Sequence, residues 1–371
     1  MTRIFLFFPL LAWIVVAPYL AKMGYSPATA TYLEAAGRFW SGVTPYGSAG
    51  PGADFYKYSP FFAQLFQVFL PFSPSWGAVL WAALNSVVFF WGISRAFRFG
   101  RETPWCAWLG LLFSAMELNG ALRHQQVNGL LAGLCLAALA DARDGKLLRS
   151  AGLWALAANF KILPFPLAGA LTLAWPRRFG LPFLASTLIF LLLPALQVGP
   201  ALAWQMHLDW LQVLARDLGR TGLLDANTLL LNAGMPASAV PVRATVAAVT
   251  SGLFLWVSFS RPTPSDTRSF PWAPWASLGW CALLLLNTGT ETPTFVLLAP
   301  AYLFFAFDGS SARRWTLLVT GALISLQYSD LWPRSVRLPG WETFAYKTAG
   351  VGALWIASAA WLSSTLRRKN T

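Results

Sequence analysis

The sequence predicts an all-α polytopic membrane protein, a bundle of about twelve transmembrane helices. Three observations carry this expectation. The 371 residues are 56% hydrophobic and 11% charged, with 20 Trp and 28 Phe, more apolar sequence than a soluble core of this length needs. Apolar runs of roughly 14 to 22 residues recur along the chain, close to the ~20 with which a helix crosses a bilayer. The basic residues behind the net charge of +13 sit in short segments between these runs. Anionic lipid headgroups and topology account for them there, without a nucleic-acid partner. Residues 1–371 therefore read as a single integral-membrane domain.

The runs centre near Ile14, Leu84, Leu112, Leu134, Leu156, Ala170, Leu188, Val249, Leu284, Ala299, Val319 and Trp355. The first has no cleavage-site pattern and reads as a retained helix. The stretch Tyr58–Phe72, bounded by Pro60, Pro71 and Pro74, is too short to span and reads as a re-entrant or interfacial helix. Two other short runs meet at Lys161–Pro164, a break of the kind tolerated where the chain lines a cavity. Cys106, Cys135 and Cys281 lie inside apolar runs and read as small buried hydrophobes. His124 and His207 are far apart, so no metal site is expected. P-loop, GxGxxG, HExxH and CxxC motifs are absent from the sequence.

Charge sets the expected orientation. With a cytoplasmic amino terminus, Arg3 and the segments RAFRFGR, DARDGKLLR, PRR, Arg261–Arg268, ARR and LRRKN all fall inside. Together they hold more than half of the 27 basic residues, as the positive-inside rule requires. The opposite face carries the long segments Lys22–Tyr58, Val198–Ala237 and Tyr328–Tyr346. It also carries most of the acids: Glu34, Asp54, Asp209, Asp217, Asp225, Glu291, Asp330 and Glu342. Both termini are thus expected in the cytoplasm, with any chemistry on the opposite, long-segment face.

The stretch Met116–Pro166 interrupts its apolar runs with Glu117, Asn119, Arg123, His124, Gln125, Gln126 and Asn128, then with Asn159 and Lys161. Polar groups at membrane depth are costly and usually face a cavity or each other. This stretch is the first site candidate. It lies within a wider pattern of three blocks: YLEAAGRFWSGVTPYG followed by DFYKYSPFFAQLFQVFLPFSPSWGAVLWAALN; ELNGALRHQQVNGLLAGL with NFKILPFPL; and NTGTETPTFVLLAP. The first is similar to "Y..A..l..G..pY" and "Y.YsP.fALlf.P...LP...w...LN". The second is similar to "l..GQ.N.ll..L" with "KlyP", and the third to an "sPt" loop. Together they resemble the GT-C membrane glycosyltransferases, specifically the polyprenol-phosphate-mannose-dependent mannosyltransferases of glycosyltransferase family 87.

The resemblance implies a GT-C-like bundle and inverting transfer of mannose, or another hexose or pentose, from a polyprenyl-phosphate donor. The acceptor is a lipid or glycan on the outer face, and no cofactor is implied beyond the lipid-linked donor. Such a donor needs cations for its phosphate, which becomes the leaving group; Lys161, Arg123 and Lys57 stand at outer ends of apolar runs. Gln126 and Asn128 offer amides to sugar hydroxyls or phosphate oxygens. Tyr58 and Tyr56 offer rings to a sugar face, and His124 and Glu291 complete the sugar and acceptor set. Blander readings stand beside these. Lys57 and Tyr58 also fit interfacial anchors, Arg123 and His124 a snorkelling loop, Glu117 a partner for Arg123, and Glu291 a helix-start acid.

One departure matters. The family places an acidic residue, the candidate general base, a few residues before the "Y..A" block. Here SPATATYLEAA has Ala28 and Thr29 there, and neither can take a proton from an acceptor hydroxyl. Asp54, directly before FYKYSP, is the favoured replacement, ahead of Glu34 on a helix expected to be amphipathic. Two other classes remain in view: a lipid-linked glycan transporter or flippase, and a catalytically inactive family member that binds polyprenyl phosphate.

Overall fold

The computed structural model describes residues 20, 22–47, 55–99, 102–217, 224–260, 267–287, 289–308, 310–326 and 341–370, with backbone alone at 341–345, 369 and 370. Helices and turns make up these residues, with no strand among them. Every expected run centre falls inside a helix, apart from Ile14, which lies outside the described residues. Length is where expectation and structure part. Among the described residues, four helical stretches are long and apolar enough to cross a membrane: Pro74–Ala96, Pro176–Val198, Pro236–Phe259 and Tyr346–Arg368. Other apolar helices are shorter, such as Phe165–Ala174 and Trp272–Leu286. At 1.5 Å per residue a ten-residue helix reaches only about 15 Å, half the ~30 Å hydrocarbon thickness.

The chain forms two compact units, Met1–Ala96 with Asn119–Gly219 and Phe97–Leu118 with Arg220–Thr371. The first contains α1 (Pro27–Trp40), α2 (Pro60–Phe66, continued by a 3₁₀ turn Gln67–Phe69) and α3 (Pro74–Ala96). Helix α4 (Trp105–Arg123) gives its last residues to this unit and the rest to the second. There follow α5 (Asn128–Arg143), α6 (Leu147–Phe160), α7 (Phe165–Ala174), α8 (Leu181–Leu192) and α9 (Pro200–Asp217). Local chemistry sets several starts. Ser26 and Ser59 cap α1 and α2, accepting from Thr29 N and Phe62 N, with Pro27 and Pro60 at the first helical positions, where a missing N–H costs nothing. The 10-residue helix Pro60–Phe69 has the shortness expected of a re-entrant or interfacial element.

α5 is the centre of the first unit. Every residue from Asn128 to Ala142 is buried, the mark of a helix enclosed on all sides. It runs parallel to α3, since Asn85 Oδ1 accepts from Leu130 N at 2.9 Å and Arg95 bonds Asp141. The two backbones touch. A methyl built on Gly92 would come within 2.2 Å of the Gly133 carbonyl oxygen, and one on Gly133 within 2.2 Å of the Val88 carbonyl oxygen. Small residues at four-residue spacing, Gly129, Gly133 and Ala137, permit this approach. α6 then runs back antiparallel: Arg149, near its start, meets Asp141, and Lys161, just past its end, meets Asn128.

The second unit holds α10 (Ala226–Asn232), α11 (Ala239–Phe259), α12 (Trp272–Leu286), α13 (Ala299–Asp308, preceded by a 3₁₀ segment Thr292–Leu298), α14 (Ser311–Gly321) and α15 (Trp341–Asn370). α12 is packed by α11, α13 and α15, and Trp355 Nε1 of α15 donates to Thr250 Oγ1 of α11 at 3.0 Å. The segment Val198–Ala237, expected as a long loop, is instead partly helical, holding α9 and α10.

The α3–α5 contact yields a test. Gly133→Ala forces the helices apart and is expected to lower thermal stability, by ~1–3 kcal/mol for overpacking. Gly152→Ala in α6, where a methyl meets nothing within 4 Å, is expected to be neutral or stabilising. Thermal unfolding in detergent compares them, and equal midpoints would contradict the close approach.

Candidate functional site

Three interruptions of the backbone converge at one end of α5 and α6. α4 ends and the chain turns at residues 124–127 into α5. α6 stops at Phe160, where Lys161 turns extended (φ −142°, ψ 133°) ahead of Pro164. The start of α2 is fastened there too, because Ser59 Oγ donates to the carbonyl of Asn159. The break expected at Lys161–Pro164 is therefore present, and it holds the cation.

Lys161 Nζ donates to Asn128 Oδ1 at 3.1 Å, and Asn128 Nδ2 donates to Gln126 Oε1 at 2.7 Å. The ammonium stands 6.0 Å from the centre of the Tyr58 ring, at the outer limit for attraction by an aromatic face. Four of the residues expected from sequence thus meet. Asn128 is fully buried, while Lys161, Tyr58 and Gln126 are half-buried and can be reached from outside. Behind Tyr58 lies an aromatic wall. Tyr32 donates its hydroxyl to Tyr58 at 2.8 Å and meets the Tyr58, Phe62, Phe66 and Trp81 rings edge-on. Tyr46 donates to the Tyr58 carbonyl at 2.5 Å. Burial first, then neighbouring acidic groups, pushes the Tyr46 phenol well above its usual range, so it remains a donor.

α9 fastens the segment between α1 and α2 at two points. Asp209 Oδ2 accepts from Thr44 Oγ1 at 2.8 Å. Asp217 pairs with Lys57 Nζ at 2.9 Å, and Trp210 Nε1 donates to the Lys57 carbonyl at 3.0 Å. The Lys57 charge is thus met by a carboxylate. Glu34 lies exposed on α1, and Arg123, the last residue of α4, and His124, the first of the turn, are exposed. Asp54 lies outside the described residues. Glu291, in the second unit, caps the 3₁₀ segment Thr292–Leu298 in a reciprocal capping box with Thr294, which is its helix-start reading.

The opposite end of α5 is equally polar. Asp141 is fully buried and pairs with Arg95 and, at 3.4 Å, with Arg149. Thirteen residues of helix, roughly 20 Å, separate it from Asn128. The basic ends of α3, α5 and α6 are therefore remote from Lys161.

The expected pairing of Glu117 with Arg123 is corrected. Lys347 of α15 donates to both Glu117 oxygens at 2.9 and 3.0 Å, with side chains 2% and 4% exposed. Lys347 also stands 4.7 Å from the centre of the Phe295 ring. Six residues along α4 place Arg123 about 240° around the helix from Glu117, on another face. Sequence reasoning also missed Tyr32 and Gln125 as site supports. Tyr32 stood in the first motif block and Gln125 in the polar stretch, but only the left-handed backbone of Gln125 and the Tyr32–Tyr58 hydrogen bond show their roles. Among the described residues no group of three or more His, Cys, Asp or Glu gathers as for a metal.

An all-helical chain with apolar spans and a polar centre where its helices break is an integral membrane protein with a built site. A model of glycosyltransferase family 87 matches residues 55–270, more than half of the chain, and the chain belongs to that family. It is a membrane glycosyltransferase by family, as the three motif blocks implied. Among solved structures it is similar to ArnT from Cupriavidus metallidurans bound to undecaprenyl phosphate, at 14% identity and a TM-score of 0.46, over 98% of this chain and 77% of that one. Comparison with curated proteins gives no match.

The buried ion pair makes a prediction. Glu117→Ala leaves the Lys347 ammonium uncompensated and is expected to cost ~3–5 kcal/mol of stability. Glu117→Met combined with Lys347→Met is expected to cost less than the single change. Thermal unfolding of the three proteins decides, and a double variant worse than Glu117→Ala would contradict the pairing.

Proposed function

We propose that the chain transfers a sugar, mannose or another hexose or pentose, from a polyprenyl-phosphate donor to a lipid or glycan acceptor. The membrane is the bacterial cytoplasmic one, and the site opens on its outer face. The observation carrying this reading is the half-buried Lys161, joined through Asn128 to Gln126 beside the Tyr58 ring. Such a group offers a cation to the donor phosphate, amides to its oxygens or to sugar hydroxyls, and a ring to the sugar face. Arg123 and Lys57 supplement the positive charge, Lys57 by sharing itself between Asp217 and the donor. His124 contributes to sugar and acceptor binding.

The reaction is a single displacement. A carboxylate, Asp54 in preference to the exposed Glu34, takes the proton of the acceptor hydroxyl. The acceptor oxygen attacks the anomeric carbon, whose bond to the phosphate oxygen breaks, and the electron pair leaves with the polyprenyl phosphate. Positive charge at Lys161 stabilises what the leaving group develops, and the configuration inverts. Family membership favours this over a transporter, and both termini are assigned to the cytoplasm by the basic segments.

Purified protein, labelled polyprenyl-phosphate sugars and a membrane lipid extract test the reading. Lys161→Ala is expected to lose roughly ten- to hundredfold in kcat/KM, as for one charge-assisted hydrogen bond. Lys161→Arg should recover only part, because a planar guanidinium is not a point ammonium. Asp54→Asn is expected to lose roughly 10²–10⁴-fold, mostly in kcat, with Glu34→Gln near normal. Unchanged transfer by Lys161→Ala would refute the phosphate role. Tight binding of polyprenyl phosphate without transfer from a full range of donors would mark an inactive member.

Orientation is tested separately with single cysteines and an impermeant reagent. Position 217 is expected to label from outside and position 143 only after permeabilisation. The opposite pattern would invert the topology.

A further inference from the structure

Gln125 is the only non-glycine residue with a positive φ, +51°, among the described residues, and it is 2% exposed. Left-handed backbone is unfavourable for any residue with a Cβ, so the surroundings must hold it. They do so from three sides. Gln125 Oε1 accepts from Ser26 N at 3.0 Å, and its Nε2 donates to the Gly24 carbonyl at 2.8 Å. Its carbonyl accepts from Trp81 Nε1 at 2.7 Å and Thr29 Oγ1 at 3.4 Å. Ser26 Oγ donates to the neighbouring His124 carbonyl at 2.8 Å. The start of α1 and the side of α3 therefore grip the turn at the residue before Gln126 and three before Asn128, the two amides of the Lys161 chain.

Glycine is the residue for which a left-handed φ is cheapest. This chain has glutamine there instead, and its side-chain amide bonds Gly24 and Ser26 at the start of α1. Strained, over-determined backbone is characteristic of sites where geometry is critical. We propose that Gln125 is a positioning residue for donor binding: its left-handed turn, pinned to residues 24–29 and Trp81, presents Gln126 and Asn128 to Lys161. This rests on the donor-phosphate reading of that site.

The test compares the unmodified chain with Gln125→Gly, which keeps the left-handed turn accessible but removes both side-chain anchors. Thr29→Val, which removes one anchor without touching the turn, gives a second variant. Donor KM is expected to rise about tenfold in Gln125→Gly and by less in Thr29→Val, with kcat near normal, on the scale of one or two lost hydrogen bonds. Hydrogen–deuterium exchange over residues 121–130 is expected to quicken in Gln125→Gly. Polyprenyl phosphate should slow it in the unmodified chain and much less in the variant. A lowered thermal midpoint with unchanged donor KM would make Gln125 merely structural and overturn the inference. An unmodified chain that neither binds polyprenyl phosphate nor uses it as donor sinks the donor reading first, and this inference with it.

Discussion

The site depends on the hydrogen bond from Lys161 to Asn128, which joins the end of one helix to the start of another. Inside a bilayer a backbone group without a partner costs several kcal/mol, so spanning helices rarely stop at depth. Here α6 stops at Phe160, α5 starts at Asn128, and α2 starts at Pro60, all within one polar cluster. Their loose ends are taken up locally: Ser59 bonds the Asn159 carbonyl and caps α2, and Asn159 Nδ2 returns to the Ala155 carbonyl. The close contact of α3 with α5 at Gly92 and Gly133 then fixes where that cluster lies along both helices.

The same rule operates at Asp141 and at Glu117–Lys347, yet those clusters differ in how their charge is used. Asp141 is enclosed and held by two guanidinium groups, and the Glu117–Lys347 pair is bidentate and shut from solvent. A buried carboxylate and ammonium paired in this way compensate each other's charge. Lys161 bonds the Asn128 amide oxygen and is half-buried beside a half-buried ring. Partial exposure, more than proximity of polar residues as such, distinguishes this cluster from the two enclosed ones.

What was legible follows from range. Hydropathy placed the helices because it is a local property, and the Lys161–Pro164 break showed itself by a proline and a charge within an apolar run. Lys161, Gln126 and Asn128 stood out because polar groups are rare there. The partner of Glu117 did not, since Lys347 lies 230 residues away and nothing local ties them. α9 was legible in principle: Ala203, Met206 and Trp210, its buried residues, recur at three and four residues. Its polar composition led instead to a loop. The backbone of Gln125 left no local mark, because a left-handed turn is ordinarily announced by glycine or asparagine.

The missing first-loop acid has a physical side. Thr29 is fully buried and gives its hydroxyl proton to the Gln125 carbonyl, while its own N–H goes to the capping oxygen of Ser26. A carboxylate in its place would set anionic oxygens against that carbonyl, an acceptor facing an acceptor, in a spot closed to water. The fold of this chain therefore accommodates a hydroxyl there and penalises an acid. On the proposed reading a base must come from elsewhere. Asp209 fixes Thr44, and Asp217 with Trp210 fixes Lys57, each close in sequence to a tyrosine of the Tyr46–Tyr58 wall. The same contact draws the Lys57 ammonium toward Asp217. The proposed phosphate contact then rests chiefly on Lys161 at the helix break, and the proposed base is a carboxylate outside positions 28 and 29.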